Sequence, residues 1–328
     1  MVANFFINKD KLGYFLLPVS AICFFIFNLF FSTFHNPIVT NNSFVFNYLF
    51  TGLSSGFLIT INLILNIFNS FIIAWMCSKH ELTDKQNQLP AFIYLLISNT
   101  INIAGAFHPA ILASTLLLFT LNKLFSIYRE ENSSSTIFDA CFILSLSFLV
   151  YSPFVLFILI PFISLLIMKP FKLNEWVAAF FGVLSPFFIA SMLLYILNNN
   201  TFIYLSNFQD LFTLNHRFVF LQGLLPDHIF IFLAMILSLF YTYNRINQLK
   251  IKAQKSIHIL LWIIAFGIIG MFMMNEDNLF FYVFFIVPIS FFIGHHIGSI
   301  RRKWLGELLT LILLFAFVCS NLMISNLL

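Results

Sequence analysis

The sequence predicts an all-α polytopic membrane protein with about eleven transmembrane helices, its N-terminus cytoplasmic and its C-terminus outside. Three observations lead there. The 328 residues are 61% hydrophobic and only 9% charged, against roughly 45–50% and about 25% in an ordinary soluble domain. A soluble fold of this length needs a polar periphery that such a composition does not supply. Apolar runs of roughly 17–25 residues, the length that crosses a hydrocarbon core, recur along the whole chain. The basic residues, finally, sit in every other gap between those runs, the pattern of a positive-inside membrane protein. A soluble enzyme, a disordered chain and a secreted disulfide scaffold are excluded.

The first apolar run, about 13–33, is too long for a signal h-region and lacks a small-residue cleavage site, so it reads as an uncleaved span. The second covers about 52–77. The block from Leu89 to Tyr128 is interrupted at Gly105-Ala106-Phe107-His108-Pro109, where Pro109 suits the first turn of a new helix. It therefore divides into spans three and four. The block from Thr136 to Met168 is broken at Tyr151-Ser152-Pro153, giving spans five and six of about 15 residues each, short for a full crossing. Five more follow at about 174–197, 228–244, 257–275, 279–297 and 306–326. All belong to one integral membrane domain over 1–328. The largest outer connection is 198–227, rich in Asn and aromatics, and periodicity leaves its fold open.

Charge supports both divisions. Lys9 and Lys11, Lys79 and Lys85, Lys123 and Arg129, Lys169 and Lys172, the group Arg245 to Lys255, and Arg301 to Lys303 all fall in alternate connections. Of the sixteen Lys and Arg residues, Arg217 alone lies in an opposite one. The net charge of +4 thus reports orientation. It is no nucleic-acid footprint, which needs a basic stripe on one surface.

Polar residues within spans are the candidates for function. Span two carries Ser55, Asn62, Asn66 and Asn69 on one helical face; span three carries Tyr94, Ser98 and Asn102 with Asn99 beside them; span four carries Thr115 and Asn122. One reading is a hydrophilic cavity that binds substrate through Asn62, Asn66, Asn69, Ser98, Asn102, His108 and Asn122. The other is hydrogen-bond glue between helices. Asp139, in the first turn of span five, complements the helix dipole, and Glu175 at a span end reads as solvated. Cys23, Cys77, Cys141 and Cys319 have no metal-type spacing and read as buried free thiols. The adjacent His295 and His296 point about 100° apart on a helix and do not suit one metal ion. No metal site and no cofactor motif is expected: P-loop, dinucleotide glycine pattern and nucleophile elbow are all missing.

Several segments together resemble a known group. They are Phe5-Phe6 followed by Lys9 and Lys11, the loop Glu81-Leu82-Thr83 before span three, and residues 136–188. The last contains Phe138-Asp139-Ala140, Tyr151-Ser152-Pro153, and Asn174-Glu175-Trp176 opening a span that ends near Ser185-Pro186. This resembles a flavobacterial family of multi-pass inner-membrane proteins catalogued as a domain of unknown function. The resemblance implies the cytoplasmic membrane of a Gram-negative bacterium, and no activity.

Three functional classes follow. The first is a role in cell-envelope glycoconjugate or lipid biogenesis, with a polyprenyl-linked or lipid substrate as partner; residues 34–51 contain no Asp or Glu, unlike an ordinary catalytic member of that class. The second is a transporter or flippase with a polar cavity in helices two to four. The third is a non-catalytic subunit among other membrane subunits of an envelope complex. All three have the lipid bilayer as partner, and none involves nucleic acid.

Overall fold

The computed structural model describes Phe6 and residues 12–31, 54–83, 87–100, 108–196, 226–273, 278–300 and 303–327. These residues form eleven α-helices: α1 (Leu12–Phe31), α2 (Ser55–Lys79), α3 (Leu89–Thr100), α4 (Pro109–Ser126), α5 (Ser134–Val150), α6 (Ile160–Met168), α7 (Leu173–Ile196), α8 (Pro226–Arg245), α9 (Ile251–Met273), α10 (Asn278–Ser299) and α11 (Lys303–Leu327). Each apolar run expected to form a span holds one of them. Stretches of five helices are long and apolar enough to cross a membrane: Gly13–Phe30, Gly56–Lys79, Pro109–Ser126, Leu173–Ile196 and Ile251–Gly270. The chain is therefore a multi-pass membrane protein in contact with a lipid bilayer.

Two of the expected breaks have clear causes. Pro109 opens α4, and His108 caps it, its Nδ1 accepting the Ala110 N–H at 3.1 Å. At the second break Tyr151 is extended, and Ser152–Leu159, with Pro153 in its first turn where the missing N–H is no loss, then winds as a 3-10 helix before α6. A 3-10 helix eclipses side chains three apart, so Tyr151, Phe154 and Phe157 share one face. All three meet Phe284 of α10, at ring separations of 6.2, 5.0 and 5.3 Å. The tighter winding also lengthens the segment, so that residues 152–168 extend about 30 Å.

Helix α7 runs on through Pro186. Proline removes the N–H that would serve the Gly182 carbonyl, and the Ser185 hydroxyl donates to that carbonyl instead, at 3.2 Å. Gly182 also faces α5 so closely that a Cβ there would lie 2.7 Å from the Phe138 carbonyl oxygen.

Helices α3 and α10 form the centre. The described residues of α3 from Leu89 to Asn99 are buried throughout, as is Phe284–His295 of α10. The two helices pack on each other; α1, α2 and α11 also line α3, and α4, α8, α9 and α11 line α10. Helix α7 lies at the periphery against α5 and α6. Its outward Phe180, Phe181 and Phe188 are more than half exposed, as lipid-facing side chains are. The phenylalanine-rich composition thus serves both a buried aromatic core and an apolar periphery.

One end of the bundle gathers the basic connections. Lys250 pairs with Glu81, Lys255 Nζ donates to the Met168 carbonyl at 3.0 Å, and Lys172 Nζ donates to the Glu131 carbonyl at 2.9 Å. All nine Lys and Arg side chains described lie there: Lys79, Lys123, Arg129, Lys169, Lys172, Arg245, Lys250, Lys252 and Lys255. Two acidic residues differ from expectation. Glu175 is buried, held by Lys169 Nζ at 2.9 Å and the Ser133 hydroxyl at 2.8 Å, because α5, α6 and α7 converge on it. Asp139 is the sixth residue of α5, past the first turn, and it pairs with Lys123 of α4 at 2.8 Å. The cysteines also divide, Cys77 and Cys141 buried, Cys319 intermediate and Cys23 exposed on α1.

Residues 198–225 of the expected outer connection lie outside the described residues, and Pro226 and Asp227 already belong to α8.

Candidate functional site

The polar seams of α2, α3 and α4 meet inside the bundle. Asn62, Asn66 and Asn69 are all buried on α2. Asn66 Nδ2 donates to the Asn62 side-chain carbonyl at 2.9 Å, and Asn69 Nδ2 donates to the Tyr94 hydroxyl of α3 at 2.9 Å. Ser114 of α4 lies beside the Tyr94 hydroxyl. The Ser114 hydroxyl donates to the Ile111 carbonyl of its own helix at 2.7 Å. A second bridge joins α1 to α3, with Asn28 Nδ2 donating to Asn99 Oδ1 at 3.2 Å. Ser98 is buried and bonds only to the Leu95 carbonyl, at 3.1 Å, among the described residues. Asn102 lies outside the described residues.

His108 and Asn122 belong elsewhere. The His108 ring is buried at the start of α4, edge-on to Tyr151 at 5.2 Å. Burial pushes its imidazole down to about 3, which keeps Nδ1 unprotonated for its capping bond. Asn122 sits at the basic end, about 16 Å along α2 from Asn69. Its Oδ1 accepts from Lys79 Nζ at 3.2 Å and from His80 Nε2 at 2.9 Å.

His80 carries no spacing signal in the sequence, and only the fold reveals its setting. It is fully buried after the last turn of α2, and its Nδ1 has no partner among the described residues. Burial, opposed by the Asn122 hydrogen bond and reinforced by the charges of Lys252 and Lys79, pushes its imidazole down to about 4. The next residue, Glu81, takes the left-handed conformation at φ 55°, and the Leu82 N–H closes the helix onto the Cys77 carbonyl at 3.2 Å.

A cavity of about 420 Å³ opens at the same end, between α8, α10 and α11. Tyr241, Arg245, His296, Ile300, Leu305, Leu308 and Leu309 line it. Its volume lies within the range of small-molecule sites, which are mostly apolar with a few placed polar groups. The Arg245 guanidinium stands 4.6 Å from the Tyr241 ring centre, and the His296 ring lies 4.3 Å from the same ring. Ser238 donates its proton to the Ala234 carbonyl at 2.7 Å, so its oxygen is the acceptor for His296 Nδ1 at 3.1 Å. Nδ1 then carries the proton and Nε2 of the neutral ring carries the lone pair. Arg245 has no carboxylate partner among the described residues. A narrower cleft adjoins the cavity through His296 and Leu309, lined also by Leu237 and Ile312. Those two side chains are 50% and 40% exposed, so the cleft reaches the apolar outer surface.

In sequence the cavity is nearly invisible, because its lining is gathered from α8, the end of α10 and α11, and four of its seven residues are Ile or Leu. The pair His295-His296 was its one trace, and only His296 lines it. Among the described residues no group of three His, Cys, Asp or Glu side chains is placed to hold a metal ion. Comparison with protein-family models, with curated proteins and with solved structures returned no match.

Proposed function

We propose that the chain is an eleven-span inner-membrane protein of cell-envelope lipid or glycoconjugate biogenesis, which holds an amphiphilic substrate in the cavity between α8, α10 and α11. The observation that carries this reading is the make-up of the cavity. A polar floor of Arg245, His296 and Tyr241 lies at the basic end, and leucines continue from it toward the bilayer-facing surface.

The topology has its own support. All nine described basic side chains gather at one end, which the positive-inside rule makes cytoplasmic. Trp75, Trp176 and Trp304 cluster near that end too, next to Lys79, Lys172 and Lys303, as interfacial tryptophans do. The 3-10 winding supports a full crossing by residues 152–168, since about 30 Å matches a hydrocarbon core. The resemblance to the flavobacterial family supports the inner membrane of a Gram-negative cell as the location.

Extraction of the protein in native lipid, followed by mass spectrometry of bound species, tests the substrate. A lipid or polyprenyl-linked glycan at about one per protein, lost in the cavity-filling variant Leu308→Trp, is the expected result. A stoichiometric protein partner with no bound amphiphile favours the subunit reading and overturns this one. Reporter fusions at residues 105–109 or 150–153 test the topology, which fails if either reports the cytoplasm.

A transporter reading draws on a different observation. The buried Oδ1 atoms of Asn66 and Asn69 have no partner among the described residues. Asn62, Asn66, Asn69, Ser98 and Asn102 would then contact a solute, and uptake that depends on them separates this reading from mere stability loss.

A further inference from the structure

We infer that the cavity between α8, α10 and α11 is a binding site for the phosphate group of a membrane lipid, with Arg245 as anion partner and His296 as second polar contact. The inference rests on the proposed function above and names the chemistry of its substrate. Arg245 brings a guanidinium to the cavity wall with no carboxylate to neutralise it among the described residues, and the fork geometry of that group matches phosphate oxygens. The cation–π contact with Tyr241 holds it over one ring. His296 is oriented by Ser238, which fixes Nδ1 as donor and leaves Nε2 without a partner among the described residues. A phosphate monoester bearing one proton donates to that nitrogen. A fully ionised phosphate is met by the protonated ring.

The rest of the cavity argues for a lipid as the source of that phosphate. Ile300, Leu305, Leu308 and Leu309 complete the lining, and a soluble phosphate compound gains nothing from them. The adjoining cleft passes between α8 and α11 beside Leu237 and Ile312, both exposed toward the bilayer. The cleft itself is tight, about 20 Å³, so a hydrocarbon chain attached to the phosphate runs along its outer face over the exposed Leu237 and Ile312. Charge and apolar surface are thus arranged in the order that a lipid in the leaflet presents them.

The experiment uses the full chain purified in dodecyl maltoside and read by native mass spectrometry, with three probes: dioctanoyl phosphatidic acid, dioctanoylglycerol and inorganic phosphate. Phosphatidic acid is expected to bind at least about tenfold more tightly than dioctanoylglycerol. Arg245→Gln is expected to reduce that preference to within about twofold, Arg245→Lys to keep part of it, and Leu308→Trp to abolish binding of both lipids. Gel filtration establishes that each variant is folded.

Equal binding of the two lipids, with both lost in Leu308→Trp, overturns the phosphate assignment and leaves the amphiphile reading standing. Binding of neither lipid to the wild type overturns both. Inorganic phosphate that binds as tightly as phosphatidic acid and displaces it overturns the lipid source. A phosphate preference left unchanged in folded Arg245→Gln overturns the role of Arg245.

Discussion

Lys169 Nζ lies 2.9 Å from Glu175 Oε1, and both side chains are buried, at 6% and 3% exposure. The pair ties the C-terminus of α6 to the first turn of α7, and Ser133 at the start of α5 bonds to both partners. Breaking a buried pair by removing one partner leaves an uncompensated charge and costs about 3–5 kcal/mol. Glu175→Leu and Lys169→Met should each lower the unfolding temperature in detergent sharply. The double variant should recover part of the loss, because two apolar side chains leave no stranded charge. A double variant as unstable as the sum of the singles would mean that the two residues act independently.

Gly182 allows α7 to approach α5. A Cβ there would fall 2.7 Å from the Phe138 carbonyl oxygen and 2.8 Å from Cys141 Cβ, whereas one on Gly56 would meet nothing within 4 Å. Gly182→Ala should therefore destabilise the protein by about 1–3 kcal/mol. Gly56→Ala, in an open helical position, should be neutral or stabilising by about 0.5–1 kcal/mol. Thermal unfolding of the two variants side by side checks this, and equal effects would remove the packing argument.

The hydrogen bond from Asn69 to Tyr94 links α2 to α3 through side chains alone. Tyr94→Phe leaves the Asn69 amide without its acceptor, and should cost about 1–3 kcal/mol. In a double-mutant cycle with Asn69→Leu the coupling should be about 0.6 kcal/mol and at most about 1.7, the range seen for hydrogen bonds inside membranes. A coupling of zero would mean that the bond does not hold the helices together.

His80 makes stability depend on pH. Its imidazole is held down to about 4 in the folded protein, against 6.5 when unconstrained. Between those values the unfolded chain binds the proton and the folded protein does not. Stability is thus full above 6.5 and falls as pH drops toward 4, by up to roughly 3 kcal/mol. Unfolding should become easier from pH 7.5 to pH 5 in the wild type. In His80→Gln, which keeps a donor for Asn122, the slope should be shallower. Parallel pH profiles for the two proteins would rule out His80 as the source.

Much of the fold was legible in the sequence. The apolar runs located all eleven helices, and the breaks at His108-Pro109 and Tyr151-Ser152-Pro153 were readable because proline acts through its own backbone. The seams of α2 and α3 were legible in part, since spacings of three, four and seven put Asn62, Asn66 and Asn69 on one face and Tyr94 and Ser98 on another. That Tyr94 is the acceptor for Asn69 was not, because partner choice depends on how helices rotate against each other. Glu175 reads as solvated from its place at a span end. Its burial requires α5, α6 and α7 to converge, which no local pattern encodes.

The sequence by itself determined that the chain is a multi-pass helical membrane protein, because apolar run length and proline position act locally and need no partner. It also determined that every Lys and Arg residue but Arg217 falls in alternate connections. Only the tertiary structure decided what those connections do once gathered at one end. It buried His80 beside Asn122, enclosed Glu175 with Lys169, and opened a cavity where Arg245, His296 and Tyr241 meet the leucines of α11. The reason is physical: His80 meets Asn122 across 42 positions, Glu175 meets Ser133 across 42 and His296 meets Ser238 across 58, so these surroundings depend on how the helices pack and not on any local pattern.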